Sequence, residues 1–176
     1  MAHHTDEGLR ALIRDVPDFP QPGVVFKDIS PLLGHAGAFA TVVDRLTEPF
    51  AGRRVDKIAG IEARGFMLAG PVAHRLGTGL VPIRKPGKLP WGTETEEYDL
   101  EYGTDRLEVH HDAVAAGERI VIIDDVLATG GTAAAAARLV EAIGGEVVGL
   151  GFLIELSFLG GAARLTDRDH TALLTY

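Results

Sequence analysis

Cysteine is absent from this chain of 176 residues, so it holds neither a disulfide framework nor a thiol nucleophile, as suits a reducing compartment. Positive charge is scarce as well, because 17 lysines and arginines face 25 acids and leave a net charge of −8. Nonspecific binding to nucleic acid or to an anionic membrane needs a cationic surface, so we expect neither partner. No apolar run approaches the roughly 20 residues of a membrane span, and no secretory signal pattern is recognisable. We therefore expect a cytoplasmic protein.

Apolar residues supply 46% of the chain, which is enough for the core of one compact domain over residues 1–176. Helical spacing of apolar side chains predicts four helices, over residues 5–15, 39–46, 65–76 and 130–143. Short apolar runs predict five strands, over residues 57–61, 80–83, 120–123, 146–156 and 171–174. Such alternation is typical of a parallel sheet covered on both faces. We predict an α/β fold with a parallel five-stranded sheet flanked by helices.

One long segment, Lys85–Asp105, interrupts this alternation and is rich in glycine, proline and acids. Residues 93–98 and 106–110 alternate enough to pair as a hairpin. Segments of this length inside a compact domain usually act as lids over a site, or are disordered. We predict a mobile flap over about residues 85–108. It carries an acidic cluster made of Glu94, Glu96 and Glu97.

The strongest chemical signal lies in residues 120–132, where an apolar strand leads into Asp124 and Asp125 and then into a glycine-rich loop. Glycines before a helix offer unpaired N–H groups and a positive dipole end to a phosphate. Two carboxylates suit the vicinal hydroxyls of a sugar, or a divalent metal. Together these groups predict a site for a sugar phosphate. The alternative is a capping turn without a ligand, but two adjacent acids beside a core are costly without partners.

Residues 120–132 resemble the phosphoribosyl pyrophosphate signature of the type I phosphoribosyltransferases, and the resemblance extends over nearly the whole chain. Residues 18–31 are similar to the N-terminal hood of the branch that acts on adenine, residues 62–66 to its pyrophosphate loop, and residues 84–90 and 98–103 to the two ends of its flap. The chain departs from the commonest pattern at Lys27, where arginine is frequent, and at Ala63, where serine is frequent.

The resemblance implies a type I phosphoribosyltransferase fold with a hood over about residues 5–32. The implied reaction is purine salvage: the phosphoribosyl group passes from 5-phosphoribosyl 1-pyrophosphate to adenine, giving AMP and pyrophosphate. Mg²⁺ as cofactor, held mainly through the substrate, and a homodimer are implied as well. Two alternatives remain open: the same reaction on hypoxanthine, guanine or xanthine, and a noncatalytic regulator that binds the donor. A regulator would need a DNA-binding module and a basic face, and the sequence indicates neither.

The resemblance also assigns roles to particular residues. The purine would lie against Val25, Phe26 and Lys27. The pyrophosphate would lie against Glu62, Ala63, Arg64, Arg84, Lys85 and Lys88, with the Glu62–Ala63 peptide in the cis form. The 5′-phosphate would lie in the loop of Ala128, Thr129, Gly130, Gly131 and Thr132, and the ribose or Mg²⁺ at Asp124 and Asp125. The catalytic groups would be Arg64 and Glu101, the latter facing the imidazole ring of the purine.

Several of these residues also have ordinary structural interpretations. Phe26 would pack in the core and Lys27 would be solvated. The basic tract that begins at Arg84 would be a solvated loop, and Arg64 a surface residue. Glu101 would be a solvated turn carboxylate. The chemistry favours a functional role for Glu101, because attack by a neutral purine places positive charge on its ring and a carboxyl group stabilises that charge.

Overall fold

The computed structural model describes residues 4–100 and 103–176. The chain divides after Arg45 into two compact units. In the described part of the chain, no helix combines the length and the apolar character that crossing a membrane requires.

The first unit contains a short antiparallel hairpin that the sequence did not predict. Its strands are β1 (Arg14–Pro17) and β2 (Val25–Asp28), with Val16 opposite Phe26. Three helices occur in this part of the chain: α1 (Asp6–Arg10), α2 (Ser30–Leu33) and α3 (Ala36–Thr47). The predicted helix over residues 5–15 is therefore too long, because the backbone after residue 13 pairs as a strand. The predicted helix before Pro49 is confirmed.

The second unit is built on a five-stranded sheet. Its strands are β3 (Lys57–Ile61), β4 (Gly79–Ile83), β7 (Arg119–Leu127), β8 (Glu146–Glu155) and β9 (His170–Thr175). They lie in the order β4-β3-β7-β8-β9, and every pair is parallel. The flanking helices are α4 (Arg64–Leu76) and α5 (Gly131–Ala142). The predicted parallel sheet flanked by helices is confirmed. Pro71 lies inside α4 and does not delay its start.

Strand β7 is longer than predicted and contains both Asp124 and Asp125. The ladder with β8 continues through Asp124 opposite Phe152 to Leu127 opposite Glu155. These backbone bonds outweigh the low strand propensity of aspartate. The two carboxylates are therefore held by the sheet itself. Helix α5 begins at Gly131, one residue later than predicted, because Gly130 has a left-handed backbone with φ of 80°.

The predicted hairpin of the flap is confirmed. It consists of β5 (Thr93–Leu100) and β6 (Gly103–His110), which pair from Thr93 opposite His110 to Leu100 opposite Gly103. Leu107 and Val109 are fully buried in the same core cluster as the inner residues of α5. The base of the hairpin, where its strands join the rest of the chain, is thus anchored in the core. The mobility of the flap stays a prediction.

Candidate active site

The candidate site lies where the neighbouring strands β3 and β7 end. Arg64 opens α4 directly after β3, and its Nε donates a hydrogen bond to Oδ2 of Asp125 on β7. The Asp125 side chain is 7% exposed, whereas that of Arg64 is 45% exposed. A buried carboxylate thus fixes an arginine that still faces solvent. In open α/β sheets, ligands bind beyond the carboxyl ends of the parallel strands, which is where this pair lies.

Asp124 is buried beside this pair. Its Oδ1 accepts a hydrogen bond of 2.9 Å from the backbone N–H of Asp125. Burial raises the pKa of Asp124 well above its usual range, and the neighbouring charge of Asp125 raises it further. A Cβ atom at Gly65 would lie 2.7 Å from the same Oδ1, so only glycine lets α4 begin this close to β7.

Replacing Asp124 with asparagine should stabilise the fold and weaken binding of the donor. The raised pKa means that the folded state binds the proton more tightly, so the carboxyl group lowers stability as the pH rises above the unfolded value near 3.8. At neutral pH we expect D124N to raise Tm by about 2–4 °C, the shift that about 1 kcal/mol gives in a domain of this size. The gain should shrink as the pH falls toward 4, which thermal unfolding at several pH values measures. A lower Tm for D124N at neutral pH would contradict this account.

The peptide between Glu62 and Ala63 is cis, as the resemblance implied. The Glu62 carboxylate accepts hydrogen bonds from Nε of Arg84 at 3.2 Å and from the backbone N–H of Lys85 at 2.8 Å. Burial alone would raise the pKa of Glu62, but these two bonds and the charges of Arg84 and Lys88 hold it below its usual value. Glu62 therefore remains ionised and fixes Arg84 at this end of the sheet.

The loop Ala128–Thr132 depends on close contact between two backbone segments. A Cβ at Gly130 would lie 2.4 Å from the carbonyl oxygen of Gly161, and a Cβ at Gly161 would lie 2.2 Å from that of Ala128. Residues with a side chain at either position would push the two segments apart. The loop leads into the N-terminus of α5, where the first N–H groups and the helix dipole favour an anion. The geometry fits the predicted phosphate site.

A polar cluster made of Lys85, Tyr98, Asp105 and Thr132 joins the flap to this loop. The Tyr98 hydroxyl accepts hydrogen bonds from Oγ1 of Thr132 and from Nζ of Lys85, both at 3.2 Å, and donates one of 3.1 Å to Asp105. Nζ of Lys85 also donates to Asp105. Burial opposes both charges, yet this pairing raises the pKa of Lys85 and lowers that of Asp105. Lys85 and Asp105 are therefore a charged pair.

The acidic cluster of the flap also has partners. Nε of Arg138 on α5 donates a 2.6 Å hydrogen bond to Glu96, and Nε of Arg106 donates one of 2.7 Å to Glu97 across the hairpin. A cavity of about 470 Å³ opens beside them. It is lined by Glu97, Tyr98, Gly131, Ala134, Arg138 and Arg164. Glu96 thus anchors the hairpin to the helix that follows the phosphate loop.

The chemistry of the buried carboxylates bears on the implied Mg²⁺. Within residues 4–100 and 103–176, no three histidines, aspartates or glutamates are grouped as metal ligands. Asp124 and Asp125 offer the oxygen atoms that Mg²⁺ prefers, but two carboxylates fill only part of its octahedral shell. The residues fit an ion whose remaining ligands are substrate oxygens and water.

Sequence reasoning missed four residues of this site: Tyr98, Asp105, Arg138 and Gly161. Each of them makes a contact with a different element of the chain, and no local pattern marked those contacts. Glu101, predicted as a catalytic group, lies outside the described residues.

The predicted purine-binding residues lie in the first unit. Val25 is half exposed, and the Phe26 ring meets the ring of Phe19 edge to face, with the centroids 5.2 Å apart. Nζ of Lys27 pairs with Asp15 at 2.6 Å, so its side chain is not simply solvated. Phe19 is exposed as well, and the pair presents aromatic surface of the kind that stacks on a base.

The family of the chain follows from comparison with known proteins. The model of the phosphoribosyl transferase domain matches residues 33–172. The chain therefore belongs to the phosphoribosyltransferase family, and it is accordingly a pentosyl-transferring enzyme.

Within that family its similarity is to the adenine phosphoribosyltransferases. The enzyme of that name from Roseiflexus sp. strain RS-1 is 56% identical over 96% of this chain and 98% of its own length. The one from Frankia casuarinae is 60% identical, over 96% and 90%. The crystal structure of adenine phosphoribosyltransferase from Thermoanaerobacter pseudethanolicus superposes with a TM-score of 0.95 at 52% identity, covering 98% of this chain and all of that one.

Proposed function

We propose that this chain transfers the phosphoribosyl group from 5-phosphoribosyl 1-pyrophosphate to adenine, giving AMP and pyrophosphate in purine salvage. The observation that carries the proposal is the meeting, in one unit, of a buried carboxylate pair, the arginine it fixes and a glycine loop at a helix N-terminus. A related adenine phosphoribosyltransferase from Saccharomyces cerevisiae, 38% identical with a TM-score of 0.90, was crystallised with an iminoaltritol bisphosphate and adenine.

The donor is held at three places in this proposal. Its 5′-phosphate accepts hydrogen bonds from the N–H groups and hydroxyls of the loop Ala128–Thr132. Its ribose hydroxyls donate hydrogen bonds to Asp124 and Asp125. Its pyrophosphate lies beside Arg64, which Asp125 orients. Glu62 acts through the cations that it fixes, because a carboxylate would repel the pyrophosphate. The pyrophosphate is bound by Arg64, Arg84, Lys85 and Lys88, along with the backbone of Glu62 and Ala63.

The reaction replaces one bond at the anomeric carbon with another. A nitrogen of the adenine imidazole ring forms the new bond to this carbon, and the bond to the pyrophosphate oxygen breaks. The purine ring gains positive charge as the leaving group gains negative charge. Glu101 takes up the proton that the far imidazole nitrogen loses as the ring becomes positively charged, and Arg64 stabilises the leaving pyrophosphate. Asp124, Asp125 and the donor would hold Mg²⁺, which would neutralise part of the donor's negative charge.

The composition and the family resemblance support proposals about the domain organisation, location and partners of this protein. We propose that residues 1–176 work as one domain, with a hood over about residues 5–32 and a flap over about residues 85–108. Residues of the hood, Val25, Phe26 and Lys27, hold the purine. The absence of cysteine and the net charge of −8 support a cytoplasmic enzyme that binds neither nucleic acid nor membrane. The resemblance supports a homodimer.

Incubating the protein with the donor and one base at a time tests the proposed reaction. We expect AMP from adenine, and a kcat/KM for hypoxanthine that is lower by at least about tenfold. A backbone acceptor at Val25 or Lys27 that pairs with the amino group of adenine would meet the oxo group of hypoxanthine, and an unpaired buried acceptor costs about 1–3 kcal/mol.

The other outcomes identify the alternatives. Equal kcat/KM values for adenine and hypoxanthine would contradict the assignment of the base while leaving the reaction type in place. Binding of the donor without any nucleotide product would support a noncatalytic regulator.

A further inference from the structure

We infer that Tyr98 is a positioning residue for the 5′-phosphate of the donor, acting through the hydroxyl of Thr132. The inference deepens the proposed function and rests on it, because it assumes that the loop Ala128–Thr132 binds a phosphate. Tyr98 lies on the flap hairpin, outside the phosphate loop. Its role follows from three hydrogen bonds and from the burial of its ring.

Tyr98 occupies a fixed position. Its side chain is 5% exposed and belongs to the core cluster with Leu107 and Val109 of the same hairpin. Its hydroxyl makes three hydrogen bonds: it accepts from Thr132 and Lys85 and donates to Asp105. A phenol offers one proton and two lone pairs, so these bonds use its full capacity. Nζ of Lys85 also lies 5.7 Å from the centre of its ring.

The bond from Thr132 creates a conflict that a phosphate must resolve. Thr132 has one hydroxyl proton, and Oγ1 directs it to Tyr98 at 3.2 Å. A phosphate in the loop accepts hydrogen bonds and needs that same proton. Thr132 can donate a hydrogen bond to the phosphate only if it no longer donates that proton to Tyr98.

Reversal of one hydrogen bond resolves the conflict without moving a heavy atom far. Tyr98 turns its proton from Asp105 to the oxygen of Thr132, and Thr132 then donates its own proton to the phosphate. Asp105 keeps its bond from Lys85 and a second bond of 2.8 Å from the backbone N–H of Arg106. Tyr98 still accepts from the ammonium of Lys85. The resulting chain runs from Lys85 through Tyr98 and Thr132 to the phosphate, and each bond strengthens the next.

The burial of Tyr98 allows this series of hydrogen bonds to position the phosphate. A hydroxyl on an exposed side chain would lose rotamer freedom on binding, whereas the ring of Tyr98 is already held by the core. Tyr98 thus holds the Thr132 oxygen in place before the donor arrives, and reversal of their hydrogen bond then turns the Thr132 proton to the phosphate. It never touches the substrate, so its effect should appear in the affinity for phosphate and not in the chemical step.

Calorimetric titration of the full chain with ribose 5-phosphate tests the inference. We expect Tyr98→Phe to weaken binding about threefold to tenfold, the effect of one lost hydrogen bond to a charged network. KM for the donor should rise by a similar factor while kcat stays within about twofold of the wild-type value. In a Thr132→Val background, which lacks the hydroxyl, Tyr98→Phe should cause no further loss.

Val109→Ala is the matched control, because Val109 is buried in the same hairpin and lies outside the polar cluster. It should lower Tm and leave the affinity for ribose 5-phosphate unchanged. Unchanged or tighter binding by Tyr98→Phe would overturn the inference, as would an equal loss in Val109→Ala or losses that multiply in the double variant. If Thr132→Val alone binds ribose 5-phosphate as the wild type does, the proposed phosphate site fails and the inference falls with it.

Discussion

Replacing Glu101 with glutamine should lower kcat by about 10²- to 10⁴-fold, the usual contribution of a positioned acid–base group. Attack on the anomeric carbon leaves positive charge on the purine, and glutamine can neither offset that charge nor take up the proton of the ring. KM for adenine should change much less than kcat, because the charge develops only in the transition state. Steady-state kinetics with adenine and the donor measure both constants.

Glu94→Gln is the suitable control for the charge of the flap. Glu94 is exposed on the same hairpin, whereas the nearby Glu96 is bonded to Arg138 and would also report on the anchoring of the hairpin. We expect E94Q to retain kcat within about twofold, as exposed charges have small effects. Small and equal losses in E94Q and E101Q would mean that the flap only covers the site.

Replacing Gly130 with alanine should abolish phosphate binding and destabilise the fold. The left-handed backbone at φ of 80° costs a residue with a side chain about 1–2 kcal/mol. The added Cβ would lie 2.4 Å from the carbonyl oxygen of Gly161, and overpacking of this kind costs about 1–3 kcal/mol more. The two effects together should lower Tm by about 4–20 °C, at about 2–4 °C for each kcal/mol.

Gly160 provides the matched control for this prediction. Its φ of 67° is also left-handed, but no atom lies within 4 Å of the position that a Cβ would take. G160A should therefore show the backbone cost alone and keep its affinity for ribose 5-phosphate. If G130A and G160A lose equal stability and both bind ribose 5-phosphate, the close approach of the two segments does not shape the loop.

Much of the central fold was readable from local pattern. Lys57–Ile61 was predicted with its observed bounds, because a short apolar run between polar residues is too short for a helix and favours a buried strand. The hairpin of residues 93–110 was also predicted, because the alternation of its side chains remains recognisable despite the many acidic residues. The loop Ala128–Thr132 was predicted to bind a phosphate because glycines and threonines before a helix have a specific chemical meaning, and that assignment stays a prediction.

The errors have a common physical cause, which is that distant partners override local preference. Residues 14 and 15 were assigned to a helix over residues 5–15, but pairing with residues 25–28 makes residues 14–17 a strand. Asp124 and Asp125 have low strand propensity, yet β8 holds them in the ladder. The fit of Gly130 against Gly161 joins positions that are about thirty residues apart, and no nearby residue indicates it. The hydrogen bond between Thr132 and Tyr98 likewise joins positions 34 residues apart.

The central position of β7 in the sheet determines which parts of this protein can open locally. Its N-terminal half pairs with β3 and its whole length pairs with β8, so its amide protons exchange with solvent only when the sheet itself separates. The carboxylates at its end therefore share the protection of the most stable part of the molecule. The hairpin is a two-stranded sheet of its own, and local opening there needs far fewer bonds to break. We therefore expect adaptation to successive ligands to fall to the hairpin, while Asp124 and Asp125, the proposed ribose-binding groups, keep one geometry.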